Sequence, residues 1–118
     1  MDNANIFWVL KCSVNEGQLD ALKSLATEFC TGAEKEDGTI GYQWALTEDD
    51  SALHICERFR DNASAVTHLG NVGPHLGKLM EVVTPTGFEV YGPAGDDLRE
   101  GLSTMGATFH AQFAGFAR

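Results

Sequence analysis

From Ile6 to Val14 large apolar side chains fall on both sides of a two-residue repeat, Ile6, Trp8, Leu10 and Cys12 on one face and Phe7 and Val9 on the other. A half-wet strand shows one polar face, so this pattern predicts a strand covered from both sides. After the break at Asn15-Glu16-Gly17 the period changes: Leu19, Leu22, Leu25, Ala26 and Phe29 recur at helical spacing through a segment ending near Glu36. That is an amphipathic helix with one stripe for a sheet. Asp37-Gly38 is a turn signal, and Thr39 to Thr47 alternates again with Ile40, Tyr42, Trp44 and Leu46 on one face. The polar cluster Glu48-Asp49-Asp50-Ser51 turns the chain into a third strand over about Ala52 to Arg60, and the pair reads as a hairpin.

Asp61 or Asn62 is a good N-cap for a second helix, which Ala63, Val66, Leu69 and Val72 continue in steps of three. Gly70 and Gly73-Pro74 are expected to interrupt it before Leu76, Leu79, Met80 and Val83 restore the stripe. A fourth strand near Gly87 to Tyr91 is ended by Gly92-Pro93. Asp96 to Met105 reads as a short acidic helix, and Thr108 to Phe113 alternates Phe109, Ala111 and Phe113 with polar neighbours in a glycine-punctuated arm.

The order strand, helix, strand, strand, helix, strand, then a tail, predicts an α+β fold of the ferredoxin-like split βαβ type. Helices cover one face of a four-stranded antiparallel sheet. Residues 1–92 form this domain and 93–118 a C-terminal helix and arm. A chain of 118 residues has too few helices to cover both faces, so a second copy of the sheet is the expected cover. Phe109, Phe113 and Phe116 of the arm are expected to add to that homodimer contact.

Charge narrows the partners. Eight Lys plus Arg against seventeen Asp plus Glu leave a net charge of −9, which offers no basic field to a phosphate backbone or an anionic bilayer. Neither nucleic acid nor membrane is an expected partner. No apolar run approaches the roughly 18 residues of a bilayer span. Met1-Asp2-Asn3-Ala4-Asn5 lacks the positive start of a leader, giving the expectation of a soluble, cytoplasmic protein. Cys12, Cys30 and Cys56 are odd in number, far apart and without a Cys-x-x-Cys pair, so they read as small buried hydrophobes rather than disulfides or zinc ligands.

Candidate chemistry is sparse and therefore readable. Glu57 shares a stripe with Leu53, Ile55 and Phe59, an ionisable group in an otherwise apolar row. It is either a positioned base or anchor, or a carboxylate paired with a neighbouring basic residue. His68 lies at the edge of the second helix's stripe, where it can face the sheet and take a proton, or serve only as a hydrogen-bonded histidine. His75 follows Pro74 in a loop that can swing over a ligand or stand in solvent. His54 shares a face with Cys56 and Arg58, away from Glu57, and reads as structural or as a dimer-interface residue. Tyr42 and Trp44, with Trp8 and Phe59 nearby, can wall a flat aromatic ligand or form plain core. No two histidines stand at i, i+4 on one helix, and no phosphate-cradling loop or Gly-x-Ser-x-Gly elbow occurs, so no metal and no nucleotide cofactor is expected.

The stretch Glu36-Asp37-Gly38-Thr39-Ile40-Gly41-Tyr42, the hairpin into His54-Ile55-Cys56-Glu57-Arg58-Phe59-Arg60-Asp61, then Ala63, Ala65, His68 and Pro74-His75, resembles the antibiotic biosynthesis monooxygenase family over roughly Ile6 to Val90. The resemblance implies a dimeric α/β barrel. For catalytic members it implies oxygenation of a small phenol or quinol by dioxygen without flavin, haem or metal. On that reading Glu57 and His68 are catalytic, Tyr42, Trp44, Phe59 and His75 bind substrate, and the partners are a small aromatic substrate and dioxygen. The alternative is a non-catalytic small-molecule-binding dimer of the same fold, since fold does not fix reaction.

Overall fold

The computed structural model describes residues 4–118; Met1, Asp2 and Asn3, on which the leader reading partly rests, lie outside the described residues. In chain order the elements are β1 (Ile6–Val14), α1 (Leu19–Glu34), β2 (Thr39–Leu46), β3 (Ala52–Phe59) and α2 (Asn62–Val72). A short 3₁₀ turn (Gly73–His75) follows, then α3 (Leu76–Val82), β4 (Val83–Tyr91), α4 (Asp96–Ser103) and β5 (Thr108–His110). The sheet order is β2-β3-β1-β4-β5. The ferredoxin-like α+β order expected from the pattern is present. The sheet itself corrects the expectation of four antiparallel strands: it has five and is mixed, because β5 pairs parallel with β4 through Glu89, Val90 and Tyr91. The physical reason is the α4 crossover, which returns the chain to the same end of the sheet before β5 begins.

β1 lies inside the sheet between β3 and β4. Its Ile6, Trp8, Leu10 and Cys12 are buried against Leu22 and Leu25 of α1, Ala65 of α2 and Leu79 of α3, while Phe7 and Val9 on the other face stay half-exposed in a single chain. α2 opens as its sequence requires: the Asp61 carboxylate accepts from the Ser64 amide at 2.8 Å, satisfying an N–H that the first turn leaves unpaired.

Three local expectations are revised. Ile40 is 48% exposed rather than aligned with Tyr42 and Trp44, because an irregularity in the β2–β3 register between Thr39 and Gly41 takes it out of the alternation. α2 runs through Gly70 and ends only at Val72, since one helical glycine costs about 1 kcal/mol whereas Pro74 removes a donor. β4 starts at Val83, four residues before Gly87. Its Pro85 is tolerated because β5 pairs only with residues 89–91, leaving the outer edge at Pro85 without a ladder to supply.

Residues 93–110 belong to the same core. Leu98 and Leu102 of α4 are fully buried within it, and Asn62 ties α2 to this segment, donating to Asp97 Oδ1 at 3.0 Å and accepting from the Gly95 amide at 2.7 Å. Residues 111–118 carry no regular structure, and Phe113 and Phe116 stand exposed. Among the described residues no helix is long and apolar enough to cross a membrane.

Candidate active site

Glu57 is the sixth residue of β3, on the inward face with Leu53, Ile55 and Phe59. His68 sits at the centre of α2's buried face with Ala65 rather than at its edge. The two meet: His68 Nε2 lies 2.9 Å from Glu57 Oε1, with both side chains under 10% exposed. His68 has a second partner that the hydrophobic pattern did not reveal. Its Nδ1 lies 2.7 Å from Glu36 Oε1, in the turn after α1. The imidazole is thus held at both nitrogens between two carboxylates.

Glu36 is placed by its own small network. Thr39 Oγ1 donates to Glu36 Oε1 at 2.9 Å and Asn71 Nδ2 to Glu36 Oε2 at 2.8 Å. The turn approaches α2 closely because residue 38 has no side chain: a Cβ on Gly38 would run into the side chain of Ser64. The Gly38 carbonyl also accepts from the Arg60 amide at 2.9 Å. The Asp37-Gly38 turn therefore does more than reverse the chain, since it sets a carboxylate against the first nitrogen of His68.

Burial alone would push the pKa of His68 down, but the hydrogen bond and charge of Glu57, followed by those of Glu36, carry it above the ordinary 6.5. For Glu36, burial works upward, yet the hydrogen bonds of Asn71 and His68 and the charge of His68 leave it below the ordinary 4.5. The two carboxylates that flank the ring thus favour its protonated form against the penalty of burial.

Aromatic rings surround this unit. Phe59 packs on His68 with ring centroids 5.0 Å apart, Tyr42 at 5.4 Å and Trp8 at 6.4 Å. Burial, then the negative charge of Glu57, raises the Tyr42 phenol far above its ordinary range, so it stays a neutral hydroxyl. The Trp44 indole is close enough to Tyr42 to oppose that rise, yet its buried Nε1 has no partner of hydrogen-bond geometry, a donor without an acceptor.

Two spaces border His68. Between sheet and helices lies an inner cavity of about 30 Å³, lined by Trp8, Tyr42, Trp44, Ile55, Glu57 and Leu79 among others. Outside α2 lies a cleft of about 410 Å³ between α1, α2 and the start of α3, lined by residues including Phe29, Glu36, Asn71, His75 and Lys78. Phe29, His68 and Val72 line both. The expected residues are therefore divided: Tyr42, Trp44, Glu57 and His68 border the inner cavity, His75 borders only the cleft, and Phe59 borders neither but supports His68. His54 is exposed on the opposite face of β3, and His110 bonds Glu89 at 2.9 Å, both away from the site. Among the described residues no group of three or more His, Cys, Asp or Glu is arranged to hold a metal ion.

The fold is thus a two-layer α+β arrangement with a buried Glu57–His68–Glu36 cluster beside a cleft of about 410 Å³. The sequence profile of the antibiotic biosynthesis monooxygenase family matches residues 6–81, and the chain belongs to that family. No curated protein matches the chain. Among solved structures it is similar to MupZ from Pseudomonas fluorescens, at 23% identity and a TM-score of 0.90, covering 100% of this chain and 92% of that one. It is also similar to Rv0793 from Mycobacterium tuberculosis, at 21% identity and a TM-score of 0.67, over 78% of this chain and 97% of that one. SnoaB, a cofactor-independent oxygenase from Streptomyces nogalater, matches at 15% identity and a TM-score of 0.66, over 78% of this chain and 95% of that one. The MupZ match takes in the whole chain, the other two about four fifths of it.

Proposed function

We propose that the protein is a cofactor-independent oxygenase of a small phenolic or quinol-type substrate, working as a homodimer. The observation that carries this reading is the Glu57–His68–Glu36 chain, a buried proton acceptor at the wall between two cavities. Family membership supports the oxygen chemistry. The triad takes the hydroxyl proton of the substrate, and the resulting anion passes one electron to dioxygen, giving a substrate radical and superoxide. The two combine to a carbon-bound peroxide; loss of water across its O–O bond leaves a ring carbonyl, so one oxygen atom enters the product and the other leaves as water. Electrons come from the substrate, and no flavin, haem or metal takes part. Glu57 and His68 are the catalytic pair, Glu36 completes it, Tyr42 and Trp44 wall the reaction space, His75 faces the substrate and Phe59 steadies His68.

The uncovered sheet face supports the dimer. Arg58 lies over the Phe7 ring at 4.3 Å, Phe7 stacks on Tyr91 at 4.7 Å and Tyr91 on His110 at 4.8 Å, a row of flat groups across four strands on the sheet face opposite the buried Ile6, Trp8 and Leu10. A second copy would remove that apolar surface from water.

The test is oxygen uptake with a panel of hydroquinones and small phenols, in wild type and Glu57→Gln. Uptake that depends on Glu57 supports the reading. Tight binding of these compounds without oxygen uptake or conversion would replace it with a non-catalytic binding dimer. The raised pKa of His68 favours one further reading, a proton-transfer catalyst that consumes no oxygen, because a protonated imidazole is also an acid. Conversion of a substrate under argon would select that one.

A further inference from the structure

The proposed reaction joins two reactants of very different size, and His68 separates two spaces of very different size. Sites for organic molecules usually fall in the range of about 300–1,000 Å³. The cleft outside α2, at about 410 Å³, meets that range, and the inner cavity, at about 30 Å³, does not. A cavity of the latter size admits a particle on the scale of a water or a diatomic gas.

We propose that the inner cavity is the dioxygen site and that the outer cleft takes the aromatic substrate, with His68 in the shared wall. The proposal rests on the oxygenase reading above and deepens it by giving each reactant its own place. Three observations carry it. The first is size. The second is the wall, in which Trp8, Ile55 and Leu79 present ring and aliphatic surface that an apolar gas enters without needing a hydrogen bond. The third is the unpaired indole N–H of Trp44, a residue that lines this cavity and not the cleft.

An orphaned buried donor is costly unless something accepts from it. Dioxygen becomes such an acceptor when the substrate anion gives up one electron and superoxide forms with one negative charge. The Trp44 N–H and the imidazolium charge of His68 then stand ready beside it, a fixed polar surround for charge that appears only during reaction. The carbon–oxygen bond forms where the two spaces meet, at Phe29, His68 and Val72.

The test uses the full chain without substrate and dissolved dioxygen itself as the probe. Methyl-labelled protein is compared by NMR under elevated oxygen pressure and under the same pressure of nitrogen. Paramagnetic broadening of the Ile55 and Leu79 methyls should exceed by several-fold that of Leu98 and Leu102, which are as deeply buried but line neither space. Equal broadening, or an exchange-resistant water cross-peak to Ile55 in place of it, overturns the proposal. In Leu79→Phe the effect on Ile55 should vanish and the KM for oxygen should rise several-fold, while hydroquinone affinity by calorimetry stays within two-fold. A rise in hydroquinone Kd with unchanged oxygen KM also overturns it. If that variant fails to fold, the wild-type methyl comparison decides alone. Selective methyl broadening without oxygen uptake for any substrate would keep the gas site and remove the oxygenase reading.

Discussion

Replacing Glu36 by alanine takes away one of the two carboxylates around the buried His68 ring while leaving the other in place. The bond lost is short, 2.7 Å, and charge-assisted, with both side chains less than 10% exposed. Hydrogen bonds to charged groups contribute about 1.5–3 kcal/mol. Because Glu57 still holds Nε2, the cost should be about 2–3 kcal/mol rather than the larger loss of a wholly unpaired buried charge. Unfolding entropy of about 2.1 cal/mol/K per residue gives roughly 0.25 kcal/mol/K for this chain, so the melting temperature should fall by about 8–12 °C.

The pH dependence of that fall is the sharper check. His68 has its native pKa raised, so its contribution is fully present below its ordinary 6.5 and is lost as pH rises through the native value. Glu36 has its native pKa lowered, so its contribution is present above its ordinary 4.5 and is lost as pH falls through the native value. The gap in melting temperature between wild type and Glu36→Ala should therefore be widest between pH 4.5 and 6.5 and should narrow in alkali. Thermal unfolding by calorimetry across that range measures it, and NMR titration of His68 reports its pKa directly. Glu36→Gln keeps an acceptor without the charge and should lose the pH dependence with less of the stability. A gap that stays constant from pH 5 to pH 9, or a His68 pKa unmoved in either variant, would refute the ion-pair account.

Glu57→Gln and His68→Ala should each lower oxygen uptake per folded molecule by about 10²-fold or more, the scale of losing a general base, and normal turnover in either would remove the triad from catalysis. Gly38→Ala should push the turn off Ser64, costing about 1–3 kcal/mol of overpacking and lowering the His68 pKa as Glu36 withdraws; denaturant unfolding and NMR titration measure the two effects. Sedimentation at micromolar concentration should show a dimer, and a monomer there would sink the proposal for the open sheet face. Deleting residues 111–118, with exposed Phe113 and Phe116, should raise the dimer dissociation constant if the arm joins that contact, and an unchanged constant counts against it.

The one-dimensional pattern was enough for whatever depends on period alone. Alternation at Leu53, Ile55, Glu57 and Phe59 puts a carboxylate on an inward face because strand side chains repeat every two residues, and β3 buries that face. The helical repeat brings His68 toward the same layer, and its burial at 3% shows the stripe centred on it and Ala65. Asp61 as a cap, the hairpin of β2 and β3 and the split βαβ order follow from equally local rules. Ile40 escaped those rules because a single register irregularity resets the face, and β5 because a parallel pairing depends on where a crossover helix lands. Glu36 escaped for a deeper reason. It lies 21 residues before Glu57 and 32 before His68, just past the end of a helix, where a polar residue is ordinary and carries no periodic mark. Only the packing of the Gly38 turn against Ser64, Thr39 and Asn71 brings its carboxylate to the imidazole. The sequence thus determined which residues face inward, and tertiary structure alone decided which charges meet there, because a close approach between distant segments depends on shape in three dimensions rather than on period.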